Sequence, residues 1–563
     1  MNNQNLNLLL AFVLSIGIII GWQHFFEKPR LAQNIASQKQ YAKVIIEVKN
    51  SQISENILED RLSALKKNDR ISFENEFLKG SINKNGLRID DLTFLKYKES
   101  VHKNSGNVEL LNPASAEGAY FAELGWISST SKVTMPKSDT LWNCNKDFIS
   151  KGEKVRCSWV SPENIEFINY LSLDDKYMFT IESEVKNNSN SAISVQSYGI
   201  IYKTYDHEHN RMSIVHEGVA GVIGDELKEF NYKDIKDKKK ISNKMLPINW
   251  LGITDKYWLV AFIPDGGLNY SSNINFIIKN QLDRYQTDFV SGSTIIEPCS
   301  EFKVTHSLFG GAKELEILDD YEQKLNIKLF DRTVDFGWFY ILTRPLLWLL
   351  HHLYGIVGNF GISIMLVTVI VKASMFSLAN KSYRSMKVMK ELHPQIEKIK
   401  ERCGDDKVRF NQEIMNLYKQ HKVNPLSGCL PLIIQIPVFF SLYKVLNVSI
   451  DMRHAEFFGW INDLSVADPT NLFNLFGLLP WNPPAFLHLG AWPILMATTM
   501  YLQQRMSPPV SDPVQAQVMK MMPLIFLFMF ASFPSGLLIY WTWNNILSIA
   551  QQSYINYSYA KSK

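Results

Sequence analysis

An almost wholly apolar stretch, ISIMLVTVIVKASMFSL (362–378), carries one lysine near its middle. An ammonium at the centre of a bilayer costs roughly 2.5–3.5 kcal/mol on insertion-based scales. Lys372 therefore needs either an escape to an interface or water and polar groups beside it. The next cation, Lys381, is nine residues on, about 13 Å along a continuous helix. A lysine stem snorkels over only part of that distance. Polar residues stand ready: Thr368 one turn earlier in the same stretch, and, in other apolar stretches, Gln435 within LIIQIPVFF and Asn544-Asn545 within LLIYWTWNNILSIA. Each alone reads equally as a helix–helix hydrogen bond. Together they favour a water-filled groove open to the cytoplasm, with a snorkelling lysine as the plainer alternative. No acidic partner for Lys372 is visible in the apolar stretches. Such a site attracts negative charge but lacks the carboxylates of a proton relay.

The other chemistry-bearing residues offer less. Cys144, Cys157, Cys299, Cys403 and Cys429 form no C-x-x-C and no Cys/His cluster, so no metal site is expected. Cys144 and Cys157 flank a turn-like NKDFISKGEKVR. A disulfide, if that region lies outside the cytoplasm, and two unpaired thiols are both open readings. His207 and His209 in YDHEHNR (205–211) could share a strand face as ligands, a polar loop being the blander reading. The glycines of EGVAGVIGDE and FGGAK do not form G-x-G-x-x-G between a strand and a helix. No cofactor is expected.

The elements that must position these groups emerge from a strong segregation, which the mean hydropathy of −0.09 conceals. Residues 28–330 are polar, whereas 6–26, 341–380, 426–448, 487–504 and 518–555 are dense in Leu, Ile, Phe, Met and Trp. A polytopic α-helical membrane protein with one large water-exposed domain fits this pattern. Over 563 residues the net charge of +4 is too small to imply nucleic-acid binding. Leu6–Phe26 is longer than a usual signal core and lacks an A-x-A-like site, so 1–27 is expected to be an uncleaved anchor, with a signal peptide as the alternative. Residues 28–325 alternate as in KVIIEVKN and YMFTIESEVKN between turn signals such as PDGG, which predicts an all-β sandwich. Residues 326–357 are aromatic and interrupted at Arg344-Pro345, as in a helix lying in the membrane interface.

Further spans are expected at 358–380, 426–448, 487–504, 518–532 and 537–555, six in all with the anchor. Between them lie a hairpin at 381–425, a loop at 449–486, a loop at 505–517, a turn at 533–536 and a tail at 556–563. The hairpin is crowded with Lys and Arg, which places it in the cytoplasm. The 449–486 loop has Arg453 against Asp451, Glu456, Asp463 and Asp468, and faces outward with the β domain. Met386, Met389, Leu392, Ile396 and Ile399 make a helical stripe in the hairpin. Pro431, Pro437, Pro493 and Pro523 are expected to kink their spans. Val518–Ser532 is short for a bilayer core of about 30 Å, which favours local thinning.

The series VGNFGISIMLVTVIVKASMFSL, ERCGDDKVRFNQEIMNLYKQHKVNPLSGCLPLIIQIPVFFSLYKVL, FFGWINDLSVADP and FPSGLLIYWTWNNILSIAQQ resembles the YidC family of membrane protein insertases. The motifs from 334 to 555 carry the resemblance. The β domain matches in position, size and class. The resemblance implies a Gram-negative inner-membrane protein with both termini in the cytoplasm, a periplasmic β-supersandwich and a five-helix core. It implies a non-enzymatic insertase and chaperone that acts on nascent membrane proteins, alone or with the Sec translocon, in contact with lipids and weakly with ribosomes, as a monomer. Lys372 falls where the bacterial family usually has a groove arginine. The charge is kept but the planar fork is lost. Thr368 and Gln435 match groove-facing positions, and Tyr540 matches a client-contacting aromatic. Trp541 replaces a usual tyrosine, and Trp460 matches a position in the outer loop. The expected client-binding groove is thus Lys372, Thr368, Gln435, Tyr540 and Asn544. The tail YINYSYAKSK is short and mildly basic, so a strong tail-mediated ribosome contact is not expected. Two other classes remain as alternatives: a small-solute transporter, and a membrane-tethered carbohydrate-binding protein or enzyme acting through the β domain.

Overall fold

The computed structural model describes residues 59–128, 133–205, 215–279, 282–404, 406–421, 423, 430–481, 483–484, 489–506 and 513–562. The expected anchor at 1–27, the His207/His209 motif and Cys429 lie outside the described residues.

Strands occupy the chain from Arg70 to Ala312 and form two mainly antiparallel sheets. One, of eleven strands, runs from Lys240–Leu246 through Tyr270–Lys279, Leu282–Ser291, Ile193–Tyr205, Tyr120–Ile127 and Arg70–Glu74 to a parallel edge strand, Phe148–Ile149. The other, of nine, runs from Glu226–Asn231 through Trp258–Ile263, Ser300–Ala312 and Met178–Asn187 to Asn143–Cys144. Alternation along each strand sends one face to the interior. In Leu282–Ser291 the inward residues include the buried Phe289, whose ring meets Phe262 of the second sheet edge-on at 5.5 Å. The result is a large β-sandwich, as expected. Cys144 and Cys157 stand opposite each other in register and form a disulfide, with Cα atoms 4.0 Å apart, which settles the open choice.

Helices are α1 (Arg61–Leu65), α2 (Tyr232–Lys238), α3 (Leu315–Leu325), α4 (Tyr340–Val357), α5 (Phe360–Ser374), α6 (Phe376–Cys403), α7 (Lys407–Gln420), α8 (Leu430–Val448), α9 (Ala491–Met506), α10 (Pro513–Phe530) and α11 (Ser535–Ser562). The last nine of these follow the sandwich, whose apolar core continues from Ile317 of α3 and Phe330 through Leu347 of α4 and Ile364 of α5 to Leu442 of α8, while α6 and α7 enclose a small core of their own. Among the described residues no single helix is long and apolar enough to cross a membrane, but α5 and α6 pass that test together, bent by 69°.

Several boundaries differ from the sequence reading. The stretch expected as one span, 358–380, breaks at Met375: the apolar run continues past the bend, so hydropathy gave no sign of it. The interfacial helix does not break at Arg344-Pro345. Pro345 lies near the start of α4, where little of the hydrogen-bond ladder precedes it. Pro493 is likewise in the first turn of α9, where proline is tolerated, and does not kink it. In the hairpin, Gly404 closes α6 with φ 55° and Asp406 caps α7 by accepting the Arg409 N–H at 3.0 Å. Leu392, Ile396 and Ile399 of the predicted stripe pack against Leu417.

Candidate functional site

α11 is the hub of the helical region. It packs against α5, α6, α8 and α9, and a polar row at helical spacing, Tyr540, Asn544, Ser548 and Gln551, runs along it. Each member meets or faces a different neighbour. The Gln435 amide of α8 donates to the Tyr540 hydroxyl, which is buried. Lys372 Nζ of α5 donates to Ser548 Oγ at 2.7 Å, and Ser548 Oγ donates to Asn544 O at 2.7 Å. Gln551 Nε2 donates to Asn380 Oδ1 of α6 at 3.0 Å. Beside the row, Asn545 Nδ2 donates to Thr499 Oγ1 of α9 at 3.1 Å.

Lys372 is in the last turn of α5, where the partial negative charge of a helix C-terminus favours a cation. The distance of about 13 Å to Lys381 assumed an unbroken helix, and the bend at Met375 removes that premise. The side chain turns toward the buried Ser548 inside the bundle. Among the described residues no carboxylate lies within 4.0 Å of its ammonium. Asn544 is 8% exposed and its Oδ1 has no partner among the described residues, so this seam holds an unmatched acceptor near a cation. The five expected residues thus form two separate contacts, Lys372 to α11 and Gln435 to Tyr540. Thr368 joins neither: it is buried and its hydroxyl donates to Ile364 O of its own helix at 2.7 Å. Ser548 was missed. A serine in an apolar helix reads as back-bonded, which it also is, but its place four residues after Asn544 was a usable signal.

Polar struts join the sandwich to the helices. Lys444 Nζ of α8 pairs with Asp335 Oδ2 at 2.9 Å, and Asp335 also accepts the His216 N–H at 3.0 Å. Arg344 of α4 bridges Asp331 and Asp319, both at 2.7 Å. His351 of α4 lies 3.0 Å from Asp451. Burial lowers the His351 pKa, but the Asp451 carboxylate outweighs it and the net shift is upward. Arg453 donates to Glu99 O at 3.2 Å and stacks over Trp258. Among the described residues no group of three His, Cys, Asp or Glu is placed to hold a metal.

The fold and the seam define a two-part protein, a β-sandwich joined to a bundle of short apolar helices with a cation and polar side chains inside the bundle. Comparison with known families agrees. Residues 352–562 match the family described as 60Kd inner membrane protein, and residues 70–349 match the YidC periplasmic domain. The chain is 52% identical over 571 residues to a membrane protein insertase YidC of Rickettsia rickettsii (strain Iowa), covering 99% of this chain and 100% of the relative. It is 53% identical over 565 residues to that of Rickettsia africae (strain ESF-5), with the same coverage. A solved structure described as an active YidC insertase with the first transmembrane domain resolved is 16% identical, covers 86% of this chain and 92% of its own, and has a TM-score of 0.36. The chain belongs to the YidC family of membrane protein insertases.

Proposed function

We propose that this chain inserts nascent membrane proteins into the inner membrane and assists their folding, using the seam around Lys372 as the entry path. Its family membership supports the activity. The observation that carries the path is the Lys372 ammonium, turned into the bundle toward Ser548 with no carboxylate beside it among the described residues. A client's tail or hairpin enters from the cytoplasm. Lys372 attracts its acidic groups, while Gln435, Tyr540 and Asn544 stand in for water. The apolar span then leaves sideways into lipid, where burial at roughly 25 cal/mol per Å² drives the step. The membrane potential adds about 2.3 kcal/mol per charge per 100 mV. Thr368 shapes the wall of this path rather than binding in it.

In this reading α5, α8, α9, α10 and α11 are spans and, with the anchor, make six. The sandwich is periplasmic, and the hairpin α6–α7 is cytoplasmic. The hairpin's cations suit contact with anionic lipid, ribosome or the Sec translocon, and the working unit is a monomer. A small-solute transporter would need carboxylates in the bundle beside Lys372. The test is site-specific photo-crosslinking from position 372 to a ribosome-stalled single-span client, with Phe440, which is 44% exposed, as the neighbouring control. The expected crosslink from 372 appears as the client's span emerges and fades on release into lipid. Crosslinks from 440 with none from 372 would overturn the path.

A further inference from the structure

The outer loop between α8 and α9 carries an apolar turn that client entry does not use. No Asp, Glu, Lys or Arg occurs between Asp468 and Arg505. Within that interval Leu472, Leu475, Phe476, Leu478, Leu479 and Trp481 are 40–82% exposed. Large apolar side chains turned outward together mark an interaction site.

This exposure is built into the backbone. Asp468 is fully buried and accepts the Trp460 Nε1–H at 3.1 Å and the Trp492 N–H of α9 at 2.8 Å. Thr470 Oγ1 accepts the Ala491 N–H at 2.9 Å, and the Leu472 N–H donates to Leu489 O at 2.8 Å. The base of the turn is therefore fixed to the outer end of α9. At the tip, Leu475 and Phe476 adopt φ of 51° and 58°, a left-handed conformation that bulky residues take at a steric cost. The Phe476 N–H donates to Asn471 O at 2.8 Å and the Leu479 N–H to Asn474 O at 3.0 Å. Backbone groups paired within the turn are what a water-poor medium demands.

The position and chemistry favour lipid as the occupant. A turn fixed to the outer end of a span stands at the outer headgroup level. The interfacial helix α4, tied to the same loop through His351 and Asp451, exposes Trp348 at 67%. Trp481 follows Pro480 at the edge of the turn, and tryptophan is enriched at the headgroup level. A protein-docking patch would carry a polar, partly charged rim, whereas this one has Asn and Pro. We propose that residues 472–481 form a wedge that seats Leu, Phe and Trp side chains in the acyl–headgroup boundary of the outer leaflet, whatever the headgroup charge.

The test places a nitroxide at Leu478→Cys in the full chain, with Cys299, Cys403 and Cys429 changed to serine and the Cys144–Cys157 disulfide kept. Leu478 is 82% exposed, so the change removes little packing. Trp481→Cys gives a second site, and Asp225→Cys, on the sandwich, a water-exposed reference. In proteoliposomes of zwitterionic or anionic lipid, collision with oxygen should rise. Collision with a polar nickel chelate should fall several-fold relative to position 225 and equally in both lipids. Chelate access equal to that at 225 would put the turn in water and overturn the proposal. Shielding from both reagents would mean that protein covers the turn, a client or a second copy, and would overturn it too.

Discussion

Replacing Lys313 with methionine tests whether the junction between sandwich and helices is as dry as its geometry implies. Lys313 follows the Ser300–Ala312 strand and is 2% exposed. Its Nζ donates to Thr254 Oγ1 and to Thr333 O, both at 3.1 Å. Burial pushes its pKa from 10.5 down to about 8, and Asp255, Asp335, Glu217 and Glu229 only partly counter this. The unfolded chain therefore binds more protons than the folded one between pH 8 and 10.5, and Lys313 makes stability rise with pH across that window. The gap amounts to about 3 kcal/mol at 1.36 kcal/mol per pH unit. Tyrosines such as Tyr97 and Tyr177, whose pKa values burial raises in the folded chain, titrate in this range only when unfolded, and most of their effect cancels when the two proteins are compared. Stability of the unsubstituted chain minus that of Lys313→Met should thus be flat below pH 8 and climb by about 3 kcal/mol by pH 10.5. Urea titration with pulse proteolysis of the full chain in detergent, reading the sandwich fragment, measures it. Parallel curves at all pH values would refute a dehydrated ammonium at this junction.

Further tests address the struts and the outer loop. The raised His351 pKa stabilises α4 docking below it and loses that contribution as pH rises through it. The lowered Asp451 contributes above its own pKa. Hydrogen-exchange protection of α4 should therefore weaken as the pH rises above the ordinary histidine value of about 6.5, and His351→Gln should flatten that dependence. Gly361→Ala would put a Cβ 2.0 Å from Phe457 Cδ2, an overpacking that costs about 1–3 kcal/mol and should lower the melting temperature in detergent. An unchanged value would mean that α5 does not pack closely on the outer loop. Asp468→Ala leaves the Trp460 and Trp492 N–H donors without their acceptor, at about 1–3 kcal/mol each. Protease added from outside should then cut the 469–490 loop faster, while cleavage of the sandwich stays unchanged.

The sandwich was legible because alternation survives in strands buried on one face, as in Met178–Asn187. Its partner order was not, since neighbours such as Ile193–Tyr205 and Leu282–Ser291 are far apart in sequence. Lys372 and Gln435 announced themselves as polar residues in apolar runs. Thr368 was drawn into the same group by spacing and by the family resemblance, and neither reveals that a hydroxyl is already occupied by its own helix. Ser548 escaped for the converse reason: a back-bonded serine hides in a hydropathy profile even when its oxygen also accepts from a neighbour. The bend at Met375 left no mark in a run whose apolarity continues to Leu378.

That bend makes the cation-bearing helix one arm of a lever. Its fulcrum is the contact of Asn380 with Gln551, a few residues beyond the elbow. At 1.5 Å per residue, Lys372 is about 12 Å of chain from the fulcrum on one side, and the hairpin tip near Cys403 is about 34 Å away on the other. A swing of the tip by about 3 Å would therefore arrive at the lysine as a motion of about 1 Å, comparable with the slack in a 2.7 Å hydrogen bond. With the elbow held rigid, whatever loads the hairpin arm would thereby also adjust, at reduced amplitude, the grip of Ser548 on the ammonium.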